Sequence, residues 1–203
     1  MDLHEEARKL FEQLGTVRSQ PSSDWTGSFA LPQELAEFYD RIGPVDTHVP
    51  ALGNDIFFPS LANLWKHQRG YRFREDPADL IDGWDDDWLV LADQGADPFI
   101  YSRQSGEILE AEHGQGSWEP EDHMPGLVMF AGCVASLGVV AEAAGPDLLD
   151  SAEEFVKEVH ADAAIKRLLV FLEEDDQAAR LLLMLSGWIP VDEAIFDEDP
   201  DGE

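Results

Sequence analysis

Apolar residues near the N-terminus recur at the spacing of amphipathic helices. The first apolar face predicts a short helix that ends at Gly15, in the C-cap position. The second predicts a helix over Leu31–Ile42, with Pro32 suited to its first turn and Gly43-Pro44 ending it. The inward positions are Leu3, Ala7, Leu10, Phe11 and Leu14 in the first helix, and Leu35, Phe38, Tyr39 and Ile42 in the second.

Short apolar runs separated by turn residues predict an antiparallel sheet in the middle of the chain. One short strand, Ile56–Phe58, precedes a helix that begins at a capping Ser60 and ends near Gln68. The segments 45–54 and 113–126 are expected to be loops. A three-stranded meander packed by the Leu31–Ile42 helix is then predicted from Trp88–Ala92, Phe99–Ser102 and Glu107–Glu110.

Helical patterns dominate the second half of the chain. Leu127–Ala144 is long enough for a helix, although its glycines and β-branched residues disfavour one, and Gly145-Pro146 ends it. Ser151–Glu154 resembles a capping box before a helical pattern that runs to Leu172, and a last helix covers Gln177–Ser186. These helices carry too many apolar residues for water, so we expect packing on the domain or a homodimer contact through Leu168, Leu169, Leu172, Leu181, Leu182, Met184 and Leu185.

Together the elements predict an α+β fold in which helices pack on an antiparallel sheet. We divide the chain into a domain at residues 1–145, a C-terminal helical extension at 146–190, and an acidic, disordered tail at 191–203. The segment from Gly126 to Ala141 is the longest apolar stretch, and it falls short of the ~20 apolar residues of a membrane span. With an acidic N-terminus and a single cysteine, the chain is expected to be cytoplasmic.

Charge narrows the class of partner. The chain carries 43 acidic residues against 13 Lys and Arg, a formal net charge of −30, while 44% hydrophobic content argues for a folded body. Such a surface repels nucleic acid and anionic membranes and attracts basic proteins. The competing interpretation is that the charge only keeps the protein soluble.

Residues that could carry out chemistry are few. Cys133 lies in an apolar segment with no identifiable base, and the six histidines have no recognised metal spacing. The calcium-like run Asp197, Asp199, Asp201 lacks room for a twelfth-position Glu. We therefore expect no catalytic residue, no cofactor and no metal.

Tryptophans beside carboxylates form the candidate binding site. Trp88 opens an apolar strand and is expected in the core, whereas Trp84 and Trp118 stand in polar loops, where an aromatic anchor among carboxylates suits a basic partner. Asp86 and Asp87 are expected to be exposed. The candidate residues are Trp84, Asp85, Asp86, Asp87, Asp93, Asp97, Trp118, Glu119, Glu121 and Asp122.

The order of segments from about Leu31 to Ala144 resembles the SUKH superfamily, also called the Smi/Knr type. The resemblance lies in Leu31-Pro32-Gln33-Glu34-Leu35 with Phe38-Tyr39, then IFFPSLANLW, then the Trp88 strand with its Gly/Asp turn and hairpin. Ala96 departs from the pattern, because the family's turn often has a second glycine there, and this leaves the backbone conformation of the turn open.

The resemblance implies a non-catalytic α+β domain that binds protein. Many bacterial members look like immunity proteins that silence a toxin, often a nuclease, whereas fungal relatives regulate through protein contacts. Two rival interpretations remain. One is a regulatory or scaffolding adaptor that binds through the C-terminal extension, and the other, the weakest, is an uncharacterised hydrolase.

Overall fold

A computed structural model describes residues 1–115, 117–150 and 155–190, and the predicted α+β class is confirmed there. The capping box at 151–154 and the tail at 191–203 lie outside the described residues. The α-helices are α1 (Leu3–Leu14), α2 (Gln33–Arg41), α3 (Leu61–His67), α4 (Leu127–Ala144), α5 (Glu158–Leu168) and α6 (Asp176–Leu185). The strands are β1 (Thr47–Val49), β2 (Ile56–Phe58), β3 (Trp88–Gln94), β4 (Asp97–Ser102), β5 (Ile108–Glu110) and β6 (Glu121–Met124).

The six strands form one antiparallel sheet whose spatial order follows the chain, from β1 to β6. The predicted three-stranded meander is confirmed as β3, β4 and β5, with Glu107 just outside β5. Two expectations are wrong. The segments 45–54 and 113–126 are not wholly loops, because they contain the edge strands β1 and β6. Both are short, and each has a neighbour in the sheet on one side only.

Both N-terminal helices form nearly as predicted. The Asp2 carboxylate caps α1 by accepting a hydrogen bond from the His4 N–H at 3.1 Å. Gly15 follows α1 but has an extended backbone, so it is not a left-handed cap. Ser60 precedes α3 without capping it, since its hydroxyl donates to Asp46 Oδ1 at 3.0 Å.

Helix α4 is the centre of the core, and its glycines allow close packing. An added Cβ on Gly132 would lie 2.3 Å from the Phe171 ring, and one on Gly138 would lie 2.3 Å from Val49 Cγ1. Small residues therefore let neighbouring elements approach the helix, which outweighs their low helix propensity.

Length and hydropathy alone would allow Leu127–Asp147, with a mean hydropathy of 2.0, to cross a membrane, contrary to our estimate from the apolar run. In this fold 72% of the apolar part of that segment is buried, and core helices of soluble proteins can be equally long and apolar.

Helix α5 packs against α4 and helix α6 packs against α5, and this arrangement covers most of the predicted leucines. Leu168 and Phe171 are fully buried in the same hydrophobic cluster as α1 and α4, and Leu169, Leu172, Leu182 and Met184 lie half-buried against it. Helix α5 begins only at Glu158, later than the pattern suggested. Two leucines of α6 stay in solvent: Leu181 is 47% exposed and Leu185 is 68% exposed.

The face of the sheet opposite α4 is covered by aromatic residues and α3. Side chains along β3 and β4 point alternately to the two faces of the sheet. Val90 and Ile100, which are paired and buried, therefore lie on the face away from the core cluster that contains α4. At a bulge in β3 the fully buried Gln68 side chain hydrogen bonds to both backbone groups of Val90, at 2.8 Å each. The glutamine that follows α3 thus satisfies backbone groups that β2 does not reach.

Candidate functional site

The acidic segment before β3 was expected to be an exposed binding face, and two arginines contact it. The Asp86 side chain is 85% exposed, but its Oδ1 accepts a 2.6 Å hydrogen bond from the nearly buried Arg72. Arg103 donates to the backbone carbonyls of Asp86 and Asp87. The expectation that Asp87 is exposed is wrong, because it is half-buried and accepts a 2.6 Å hydrogen bond from Ser102 Oγ.

The first carboxylate of that segment has a local role. Asp85 is exposed, and its Oδ1 accepts a hydrogen bond from the Asp87 N–H at 2.8 Å, which closes the turn that leads into β3. These three aspartates therefore shape a turn as well as carrying charge.

The predicted aromatic anchors pack on one another instead of standing free. The ring of Trp84 lies 5.5 Å from that of Trp118 and 5.4 Å from that of Trp88, both edge to face. Trp118 also lies 5.8 Å from the ring of Tyr71. All three tryptophans are half-buried, so Trp88 is not the core residue that its strand position suggested. Edge-to-face contacts of this kind favour a stabilising role for the cluster.

Asp93 lies beside this cluster and has two partners. Tyr71 donates to its Oδ2 at 3.0 Å, and His67 Nε2 lies 3.3 Å from its Oδ1. Burial acts to raise the pKa of Asp93, but the neighbouring His67 and the Tyr71 hydroxyl outweigh it, so the pKa is lowered. Burial and the charge of Asp93 raise the pKa of Tyr71.

A shallow groove of about 690 Å³ lies on this aromatic face, beside α3. Its lining mixes both signs of charge, with Lys66 and Arg69 near Asp93 and Asp46. Asp97 holds His113 at the rim, accepting from its backbone N–H at 2.7 Å. Three of the predicted carboxylates on this face, Asp86, Asp93 and Asp97, thus already lie beside an arginine or a histidine.

A second groove, of about 710 Å³, lies on the other side, between the β5–β6 hairpin and the helices α4 and α6. We call it the hairpin–α6 groove. One wall, which we call the glutamate wall, is formed by Glu110, Glu112, Glu119 and Glu121. None of the described lining residues is Lys or Arg. Glu110 contacts His123 at 2.9 Å, while Glu112 and Glu119 accept hydrogen bonds from the neutral Gln115 and Ser117.

The opposite side of the hairpin–α6 groove is apolar. Leu182 and the exposed Leu185 come from α6, and the base includes the buried Phe99, Val134 and Trp188. Apolar side chains and uncompensated carboxylates therefore face one another across a space large enough for several side chains.

Nine of the ten predicted residues divide between two surfaces. Trp84, the aspartates 85–87, Asp93, Asp97 and Trp118 lie towards the aromatic face, while Glu119 and Glu121 belong to the glutamate wall. Asp122 is in β6, paired with Leu109.

Sequence reasoning missed Glu110, Glu112 and the α6 side of the groove. The alternation in ILEAE was a usable signal for the two glutamates, because residues two apart in an extended chain share a face. The contribution of α6 needs the tertiary fold, since it lies more than 50 residues from the hairpin.

Two observations concern the metal and thiol chemistry considered from the sequence. In ranges 1–115, 117–150 and 155–190, no three His, Cys, Asp or Glu residues come together as metal ligands. Cys133 is 1% exposed, and burial raises the pKa of its thiol to about 12, which makes it a poor nucleophile.

No protein-family model, curated protein or solved structure matches this chain.

Proposed function

We propose that this protein is a non-enzymatic binding module for a basic protein, of the kind that the SUKH resemblance implies for toxin-immunity proteins. The observation that carries the proposal is the glutamate wall. Asp86 and Asp97 on the aromatic face contact Arg72 and His113. Glu112, Glu119 and Glu121 instead face a groove whose described lining has no Lys or Arg. Unpaired like charges repel one another, so a cationic partner would relieve that repulsion.

Charge of this kind acts mainly on the rate of association. A basic toxin domain would be attracted from a distance, and its association rate would fall as salt screens the field. The Debye length is about 10 Å at 0.1 M salt, so the effect is largest below that concentration.

The test begins with capture of partners from the native host by the full-length chain, identified by mass spectrometry. The purified partner is then titrated with the wild type, with the wall variant E112Q/E119Q/E121Q and with the control variant E142Q/E158Q/D162N. The control removes the same charge from exposed positions on α4 and α5, and none of its residues lines the hairpin–α6 groove. We expect the wall variant to associate with the partner more slowly than the control variant does. If the partner is toxic, we expect the wild-type chain to protect growth.

The adaptor interpretation has its own support in exposed apolar residues of the C-terminal helices. Val159 is 66% exposed and Leu185 is 68% exposed. The adaptor interpretation would be favoured if partner affinity were unchanged by salt, by the wall variant and by the control variant, but lost on Leu185→Ser. Substrate turnover abolished by one carboxylate change would favour the hydrolase instead.

A further inference from the structure

Four apolar side chains and four carboxylates converge on one groove from parts of the chain that are distant in sequence. The glutamate wall comes from the β5–β6 hairpin, while Leu182 and Leu185 come from α6. Leu52, from the β1–β2 connection, and Val134, from α4, add to the apolar side. The exposed Leu185 and the half-buried Leu182 therefore lie beside a wall of glutamates, which makes the groove an amphipathic surface with one sign of charge.

We propose that the hairpin–α6 groove binds a cationic amphipathic segment of a partner protein. An apolar residue of that segment contacts Leu182 and Leu185, and flanking Lys or Arg side chains pair with Glu112, Glu119 and Glu121. This inference rests on the proposed function for the sign of the partner's charge, and it adds where the partner binds and what it presents.

Charge complementarity favours this occupant over a second copy of the chain and over the chain's own residues 191–203. A second copy would bring another net charge of −30 and a second glutamate wall against the first. Residues 191–203 contain many aspartates and glutamates and no Lys or Arg, so they are poorly suited to an acidic groove. A wholly polar cationic segment would leave Leu185 in water and gain nothing from the apolar side.

Three synthetic helical peptides test the proposal with the full-length protein. The first carries a stripe of Leu flanked by Lys, the second keeps every Lys but replaces Leu by Ser, and the third keeps Leu but replaces Lys by Glu. Fluorescence anisotropy measures the dissociation constants at about 0.15 M salt. At that concentration, exposed charges more than about 8 Å apart are largely screened. The second peptide is essential, because any polycation is attracted to so acidic a protein.

We expect the Leu/Lys peptide to bind about tenfold tighter than the Ser/Lys peptide, and the Leu/Glu peptide not to bind. The wall variant E112Q/E119Q/E121Q should weaken binding about tenfold, since three exposed charge pairs are removed, while E142Q/E158Q/D162N should change it less than about twofold. Glutamine keeps the acceptor oxygen that Gln115 and Ser117 use, so the hairpin should stay intact.

The apolar side is tested with a matched pair of exposed residues. Leu185→Ser should weaken binding of the Leu/Lys peptide severalfold, while Val159→Ser, at 66% exposure on α5 and away from the groove, should not. Circular dichroism of both variants checks that the fold is kept.

Several outcomes would overturn the proposal. Equal weakening by the two carboxylate triples would mean that bulk charge alone attracts the peptide. No binding by the full chain would mean that the groove is unsuited or covered by the chain's own residues, and a wild-type dimer dispersed by Leu185→Ser would assign the groove to a second copy. If a captured natural partner still responds to salt while the peptides fail, the proposed function stands and only this location falls.

Discussion

Gly132→Ala offers the sharpest test of how the C-terminal segment joins the core. The new Cβ would lie 2.3, 2.3 and 2.6 Å from three carbons of the Phe171 ring, and Phe171 is 1% exposed. Alanine favours a helix interior over glycine by about 1 kcal/mol. Overpacking a core costs about 1–3 kcal/mol, and three contacts under 3 Å place this case at the upper end. We therefore expect a net loss of about 1–2 kcal/mol.

Equilibrium unfolding in urea, followed by tryptophan fluorescence, measures the change. A loss of this size corresponds to a melting temperature lower by roughly 2–8 °C for a chain of this length. Phe171→Leu shortens the side chain that the new Cβ meets, so G132A should cost less in the F171L background, with a coupling free energy of about 1 kcal/mol. Ala143→Gly, at an exposed position near the end of α4, is the control that isolates helix propensity. If G132A is neutral or stabilising, the close approach of Phe171 to α4 is refuted.

Four other changes test the rest of the structure. Ala96→Gly should raise the free energy of unfolding by up to about 1 kcal/mol in urea titrations, because Ala96 has a positive φ of 86°. Asp87→Lys should lower the thermal midpoint because Asp87 is half-buried beside Ser102, and an unchanged midpoint would contradict that contact. Because the pKa of Asp93 is lowered in the fold, its carboxylate stabilises the protein at pH values above the ordinary pKa of 3.8, and this contribution is lost as the pH falls through the folded pKa. Asp93→Asn should therefore make the free energy of unfolding depend less on pH in the acid range. Cys133 should react slowly with a disulfide reagent at pH 8 and quickly in urea, and fast native reaction would show that the thiol is accessible.

The elements that the sequence predicted well are those whose own residues determine them. β3 and β4 carry continuous apolar runs with turn residues between them, and α4 is apolar over most of its length. The edge strands β1 and β6 could not be predicted, since THV and EDHM are short and largely polar. They become strands only because a neighbouring strand offers backbone hydrogen bonds, which is a property of the assembled sheet.

The candidate site was harder to predict than the fold, because neutralisation of charge is a tertiary property. In sequence, Asp86 and Glu119 are equivalent acidic loop residues. In the fold, Arg72 contacts Asp86, which lies 14 residues later in the chain, whereas Glu119 accepts a hydrogen bond from the hydroxyl of Ser117. Neither outcome follows from the local pattern, since each depends on where α3 and the hairpin are placed.

This distinction between paired and unpaired carboxylates changes how the net charge of −30 bears on function. A paired carboxylate such as Asp86 presents a local dipole, and its field falls off faster with distance than that of an isolated charge. The long-range field that attracts a basic protein therefore comes disproportionately from groups such as Glu112 and Glu119. Solubility alone would be served equally by carboxylates anywhere on the surface. Because these groups border the exposed Leu185, their placement favours a binding surface over simple solubilisation.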